Sequence, residues 1–575
     1  MDINGISSKV AQIGQAMLLM TLSTIVMSAA PTPQEIIIQQ QQQREQAERE
    51  ALIEYRQEKP IELEESPEEA IEEDGPCFDI SRIIYNGARV MPISVQEEIT
   101  APYINQCINL SKINGLLRHV SNWYFERGYV TSRAYVSAQD LKTGTLQLTI
   151  VEGELEKITL SPSTSRLAPG GVFWGMADNP PLNLRDIEQG LEQLNRLGSV
   201  QAKMDLLPGT EPGKSTLRVN VAEEKPWRIR FTRDNSGQKS TGELGNSVLF
   251  ELDNPLGIND YGYISYQEDN LDNSTGNGYE STSLHWDMPL GAWHVGIDVN
   301  YFEYYTVIES IFGDFSSTGT SLSQKVFLSN MLYRDNQQKL KAKMTLQRKK
   351  SEQFNQDVLL SSSRNLGIAT FGIDYTLFTA SQGRLDLSGY YHRGLRLFNA
   401  PDDHDFAAEA PRAQFDKWTV TVNYRQPVTF NGLLTTPLTY EGKVFIQQSP
   451  DTLYASEQIS IGGQYTVSGY KGKSISANSG GYWRNNYSLP IDTRSWGGSW
   501  VSQIKPYIQI DVGKIKDKEN NYESDTYTSL RGWGVGVELT GRYYQLKGSM
   551  TRGHNPAQFS GELDSQFHFM LALKY

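Results

Sequence analysis

The sequence has only two cysteines, Cys77 and Cys107, and no excess of basic charge. Lys and Arg number 53 against 67 Asp and Glu, a net charge of −14. That acidic balance argues against a general nucleic-acid binder, which carries a basic face. Past the first 30 residues no stretch reaches the ~18 continuous apolar residues that a spanning helix needs. Nucleotide and hydrolase signatures are also missing: there is no GxxxxGK before Ser or Thr, no GxSxG, no HExxH and no paired-carboxylate constellation. The expectation is therefore no catalytic residue, no metal and no cofactor. Mean hydropathy is low, at −0.47, yet there are 30 Tyr and 10 Trp. Low bulk hydropathy with many aromatics suits a β-barrel whose strands show one face to lipid.

The N-terminus has Lys9, an apolar run from Ala16 to Met27 and then Ser28–Ala29–Ala30. Residues 1–30 read as a secretory signal peptide. In an exported chain, an even cysteine count suggests a disulfide, here Cys77–Cys107. Residues 31–55 follow as a helix-favouring, Gln-rich segment that is polar almost all round. Such a helix is unstable alone or sits in a wet, polar site. Residues 56–76 are an acidic, Pro-containing tether.

Two modules of similar order come next. Residues 77–153 open with a strand at Phe78–Ile80 into Ile83–Ile84. A helix near Val95 to Ile104 and a second with Leu110, Ile113, Leu117, Val120 and Tyr124 on one face follow. Gly128 stops that helix. Strands Tyr129–Val136 and Thr145–Val151 close the unit. Residues 154–225 repeat the β-α-α-β-β order. Leu155–Leu160 is a strand, and Asn183 caps a helix with Leu184, Ile187, Leu191 and Leu194 on one side. Strands follow near Ala202–Leu207 and Ser215–Val221. Tyr129–Val136, Thr145–Val151 and Ser215–Val221 are candidate edges for an added partner strand.

From 226 to 575 the period becomes two. Trp293, Val295, Ile297, Val299 and Tyr301 oppose His294, Gly296, Asp298 and Asn300. Leu340, Ala342, Met344 and Leu346 oppose Lys341, Lys343, Thr345 and Gln347. An apolar face against a charged one fits lipid outside and water inside. On this parity His294 and His392 are polar lining. Seven short turns imply about sixteen antiparallel strands, with long loops such as Glu303–Thr320 and Phe398–Gln414 at the other end. One connection stands apart, roughly 448–481, too long for an ordinary turn. It contains Tyr465, Val467, Ser468, Gly469, Tyr470 and Lys471, and Ser468–Gly469–Tyr470 suits a tight turn. The last strand alternates Phe567, Phe569, Leu571, Leu573 and Tyr575.

RGYVTSRAYVSAQDL (Arg127–Leu141), LTIVEGELEKI (Leu148–Ile158) and LNLRDIEQGLEQLNRL (Leu182–Leu197) resemble paired POTRA domains. FELDNPLGIND (Phe250–Asp260) and GGYWRNNYSLP (Gly480–Pro490) resemble barrel strands. Together they resemble the two-partner secretion transporters of the Omp85 superfamily, in the haemolysin and contact-dependent-inhibition branch.

The resemblance implies an outer-membrane barrel of a Gram-negative cell, periplasmic POTRA domains and an N-terminal plug helix. It also implies export, without ATP, of a large exoprotein with an N-terminal secretion domain. Barrel-assembly machinery would read the strand ending at Tyr575. In the family the long loop folds into the lumen, and the Arg of its VRGY motif meets an Asp on strand thirteen. Here Val467, Gly469 and Tyr470 match but Ser468 replaces the Arg. The strand motif is Ile510–Asp511–Val512–Gly513. Lys471, Lys473 and the Ser468 hydroxyl are the candidate partners of Asp511, with Lys471 first because it is nearest. The alternatives are a membrane-protein insertase of the same superfamily, a porin without need of modules and an outer-membrane enzyme.

Overall fold

A computed structural model describes residues 33–54, 76–176, 181–238, 240–269, 277–308, 314–360, 363–403, 410–429, 436–494, 500–517, 526–554 and 564–575. The expected signal peptide and almost all of the acidic tether lie outside them.

The first module packs helices Ile93–Thr100 and Leu110–Glu126 on a three-stranded sheet. Thr145–Val151 is its central strand, parallel to Arg82–Asn86 and antiparallel to Arg133–Val136. Asn109 caps the longer helix through Lys112 N, and Ile113, Leu116, Val120 and Tyr124 face the sheet. Phe78–Ile80 pairs separately with Gln106–Ile108. That pairing brings Cys77 and Cys107 together as a disulfide, with Cα atoms 5.3 Å apart. The second module repeats the topology: Lys214–Glu223 lies between Glu154–Ser161 and Val200–Pro208. Helix Leu184–Asn195 covers it with Ile187, Leu191 and Leu194.

Two expectations about these sheets are corrected. Thr145–Val151 and Ser215–Val221 are central strands, their backbone groups engaged on both sides, so neither can accept an added strand. The strand expected at Tyr129–Val136 begins only at Arg133. Tyr129 N bonds back to Tyr124 O and Ser132 N to Tyr129 O, so that stretch turns instead. Gly128 starts the turn at φ +88°, and a Cβ there would stand 2.4 Å from Asn183 Oδ1 of the second module.

The barrel closes from sixteen long strands among the described residues. In order they are Trp227–Asp234, Gly245–Asp253, Tyr261–Asp269, Gly278–Leu290, Trp293–Ile308, Phe315–Arg334, Gln338–Asn355, Arg364–Phe378, Arg384–Leu395, Asp416–Val428, Leu438–Gln448, Gly480–Ser488, Gln503–Asp517, Thr526–Thr540, Tyr544–Gly553 and Gln566–Lys574. The sixteenth pairs with the first from Met570↔Asp234 to Lys574↔Arg230. Side-chain parity follows the period-two pattern: Ile508 and Ile510 are about half exposed outside, while Asp511 is wholly buried inside. The loop expected from Glu303 to Thr320 is mostly strand, because Glu303 pairs with Thr320 and the ladder runs on to Ile308↔Phe315.

The second module is fused to one end of the barrel. Tyr261 of the third strand belongs to its apolar core. Arg196 meets Asp287 and donates to Asn259 O at 2.9 Å. Glu192 sits between Arg334 and Lys339. Burial raises the Glu192 pKa, but Lys339, Lys341 and Arg334 outweigh it and hold the carboxyl at about 2.

Two predictions follow from these attachments. A depressed carboxyl contributes stability that is present above its ordinary value and lost as pH falls through the folded one. The seam between module and barrel should therefore become protease-sensitive as pH falls from about 4.5 toward 2. In Glu192→Gln much of that acid step should be missing, the seam being weaker already at neutral pH. For the first module, reducing the disulfide, which spans 30 residues, should cost roughly 3 to 4 kcal/mol on the chain-entropy model. Denaturant melts of the protein with and without reductant measure this, and two free thiols in unreduced protein by mass spectrometry would refute the bridge.

Candidate functional site: the lumen, its helix and the inward loop

Alternation puts the polar half of every strand inside, so the lumen is lined with charge. Its open part is a cavity of about 2180 Å³ lined by residues such as Lys325, Lys343, Asp374 and Arg484. Helix Pro33–Glu54 lies within this lumen. Toward its start, Glu35 pairs with Arg364 at 2.7 Å and Gln34 donates to Ser317 at 3.2 Å. Midway, Arg44 donates to Asp234 at 2.8 Å and to the Tyr279 hydroxyl at 3.0 Å. Near its end, Arg49 lies 3.4 Å from Asp298, and Lys443 pairs with Glu50 at 2.6 Å. Its apolar contact is small: Ile37 and Ile38 against Tyr279, Phe302 and Tyr304. A helix polar on every side thus finds polar partners on every side.

The 448–481 connection folds inward between helix and wall. It carries a short hairpin, Ile459–Ile461 with Ile475–Ala477. Val467 and Tyr470 are fully buried with Ile459, Ile461, Ala477, Ile515 and Leu530. Tyr465 is only partly buried and stands outside that cluster. At the tip, Ser468 N donates to Asp511 Oδ2 at 3.0 Å. Gly469 has φ +85°, and a Cβ on it would meet Gly553 N at 2.1 Å. Gly513 is close-packed too: a Cβ there would stand 2.7 Å from Val467 Cγ2. The Tyr470 hydroxyl lies within hydrogen-bond reach of the Arg531 and His554 carbonyls, at 2.8 and 2.7 Å.

The partner of Asp511 is not Lys471. The Lys471 ammonium donates to Asn235 O at 2.7 Å and lies 3.3 Å from Glu243, so it reaches the connection between the first two strands instead. The Ser468 hydroxyl makes no hydrogen bond among the described residues, nor does Asp511 Oδ1. Asp511 is held by the Ser468 backbone, by Gln509 and by Arg484, whose Nε stands 3.6 Å from Oδ1. Arg484 is directly opposite Asp511 in the ladder. Lumen parity in GGYWRNNYSLP could have found it, since Trp483 points out and Arg484 in. Glu457 was also missed. It lies between Lys349 and Lys417 at 2.6 and 2.8 Å, in an irregular turn with no periodicity to mark it. His392 bonds Thr370 and Thr419 as wall lining.

Residues 213–539 match the model of the haemolysin secretion/activation protein ShlB/FhaC/HecB family. The chain belongs to this family. Residues 78–153 match the ShlB-type POTRA domain and 154–208 a POTRA domain. The outer membrane transporter CdiB of Dickeya dadantii (strain 3937) is 36% identical over 470 residues, 82% of this chain and 81% of that protein. The CdiB of Escherichia coli O6:K15:H31 (strain 536 / UPEC) is 32% identical over 515 residues, 88% and 83% of the two chains. The solved structure of CdiB from Escherichia coli superposes with a TM-score of 0.85 at 29% identity, covering 95% of this chain and all of that one. This family member is an outer-membrane transporter of two-partner secretion, with its POTRA domains in the periplasm. The insertase alternative is not favoured. The module end of the barrel is therefore periplasmic and the other end extracellular.

Asp511→Ala would leave the buried Ser468 N–H without its acceptor, at a cost of about 1–3 kcal/mol, and Arg484 without its paired charge. We expect a loop more open to protease in intact cells and reduced secretion, with the barrel still inserted. Asp511→Asn keeps an acceptor for Ser468 and should fall between. Parent-like secretion and loop protection in Asp511→Ala would show that the apolar cluster alone holds the tip.

Proposed function

We propose that the chain exports one large exoprotein bearing an N-terminal secretion domain, of the contact-dependent inhibition toxin, haemolysin or adhesin kind. The POTRA domains capture it in the periplasm, and it passes unfolded through the barrel. Folding outside the cell supplies the driving force. The edge strands left for capture are Arg82–Asn86 and Arg133–Val136, with Tyr135 exposed, in the first module and Glu154–Ser161 and Val200–Pro208 in the second. Strand addition draws affinity from main-chain hydrogen bonds and specificity from side-chain pockets. The terminal strand, whose Tyr575 packs on Trp227 and under Lys225, is the segment for barrel-assembly machinery to read.

The observation that carries this reading is the lumen itself: a charged channel blocked by a helix with almost no apolar hold. Helix Pro33–Glu54 acts as a plug that leaves during transport. Deleting it should raise single-channel conductance in planar bilayers several-fold while secretion persists. Unchanged conductance would sink the plug. Exchanging residues 77–221 for those of a relative should change which exoprotein is exported; if partner choice stays with the barrel, capture is misassigned.

A further inference from the structure

The turn Ala455–Glu457 opens the inward loop. Its Glu457 is 5% exposed. One carboxylate oxygen takes Lys349 Nζ of the seventh strand at 2.6 Å, the other takes Lys417 Nζ of the tenth at 2.8 Å. The backbone is held as well: Lys349 donates to Ser456 O at 3.3 Å, while Lys417 and Gln447 donate to Glu457 O at 3.2 and 2.8 Å. Two wall strands thus grip one loop carboxylate. The polarity is the reverse of the Asp511 site, where the wall supplies the acid.

The other side of this turn faces the helix. Gln39 donates to Ala455 O and accepts from Ser476 Oγ at 2.9 Å, and Gln43 donates to Ser460 O at 3.0 Å. All three loop residues lie in the segment that the turn Ala455–Glu457 begins. The helix therefore rests on the loop on one flank and on the barrel wall on the other. Loop apolar contacts sit elsewhere: Leu453 packs before the turn, and the Ile459–Tyr470 cluster after it.

We propose that Glu457 is the positioning residue of the plug's seat: by clamping the loop between Lys349 and Lys417 it fixes the surface against which the helix closes the channel. The inference rests on the reading of Pro33–Glu54 as a plug. Removing the Glu457 charge strands the buried Lys417 and the part-buried Lys349 and frees the turn, and the helix then loses its loop-side contacts without any change to its own residues. A charge-assisted bond is about twice as strong as a neutral one, and losing a buried one changes a closed-to-open ratio on the order of tenfold.

The test is single-channel recording of the full chain in planar bilayers, with folding checked by the heat-induced gel shift. Glu457→Gln should give on the order of ten times more open-channel time than the parent. Glu457→Lys should do the same. Adding Lys417→Glu to Glu457→Lys should return the channel toward parent closure, a rescue that a packing role would not give. The helix deletion is run beside them. If the deletion opens the channel but Glu457→Gln does not, the seat is misassigned and the plug stands. If the double charge swap stays as open as Glu457→Lys alone, the charge clamp is overturned. If the deletion itself has no effect, the plug reading fails first.

Discussion

In hydrocarbon every backbone N–H and C=O must be bonded within the protein, at several kcal/mol for each group left over. A barrel meets this only by closing, and the closing seam is its shortest ladder. The first and sixteenth strands share five register pairs, against eight between the fifteenth and sixteenth. Side chains continue what the ladder lacks. Asn235 accepts from Phe569 N and donates to Phe567 O, both at 2.8 Å, as a strand neighbour would. Lys471 at the loop tip then bonds Asn235 O, and its own N–H bonds Gln566. The inward loop is thus tied to the one place where the barrel's closure is thinnest. That explains why Lys471 is not available to Asp511.

The same constraint sets what can sit inside. Closure with alternating side chains sends one residue in two into the lumen, and those residues are polar because the other half must face lipid. Whatever fills such a lumen has to satisfy charge rather than bury apolar surface. The Gln-rich helix does this with Arg44, Glu35, Arg49 and Glu50 against the wall. Exchanging such contacts for water is nearly balanced, because ion pairs gain little net of desolvation. A filling held this way can leave and return.

Much of this was legible. Period two with one charged face fixed strand parity, and parity alone placed His294 and His392 in the lumen and Trp293 and Ile297 outside. The repeated β-α-α-β-β order gave both modules. The partner of Asp511 was not legible by sequence nearness: Lys471 is three residues from Ser468, but Arg484 is opposite Asp511 across a ladder. Register decides such contacts, and register becomes visible only when strands are paired. Two of the three expected edges, Thr145–Val151 and Ser215–Val221, failed for a similar reason. Chain order does not say that the last strand of each module takes the central place, and both modules do so. Glu457 gave no signal, lying in a turn with neither period.

Loop and helix share the lumen, yet different forces hold them. The loop buries Ile459, Ile461, Val467 and Tyr470 against Ile515 and Leu530. At roughly 1.5–3 kcal/mol for each large apolar side chain buried, that cluster outweighs any single polar contact in the lumen. Among the described residues, the helix sets Ile37 and Ile38 beside it as its buried apolar cluster. Its remaining contacts are polar, and each is worth about 0.5–1.5 kcal/mol net of water. A polypeptide entering the channel brings polar backbone of its own and can replace those contacts one by one. It cannot replace a packed apolar cluster in the same way, because no step short of withdrawing the whole tip recovers the loss. On the plug reading proposed above, the element that yields to a passing chain is the helix, and the loop tip stays on the wall.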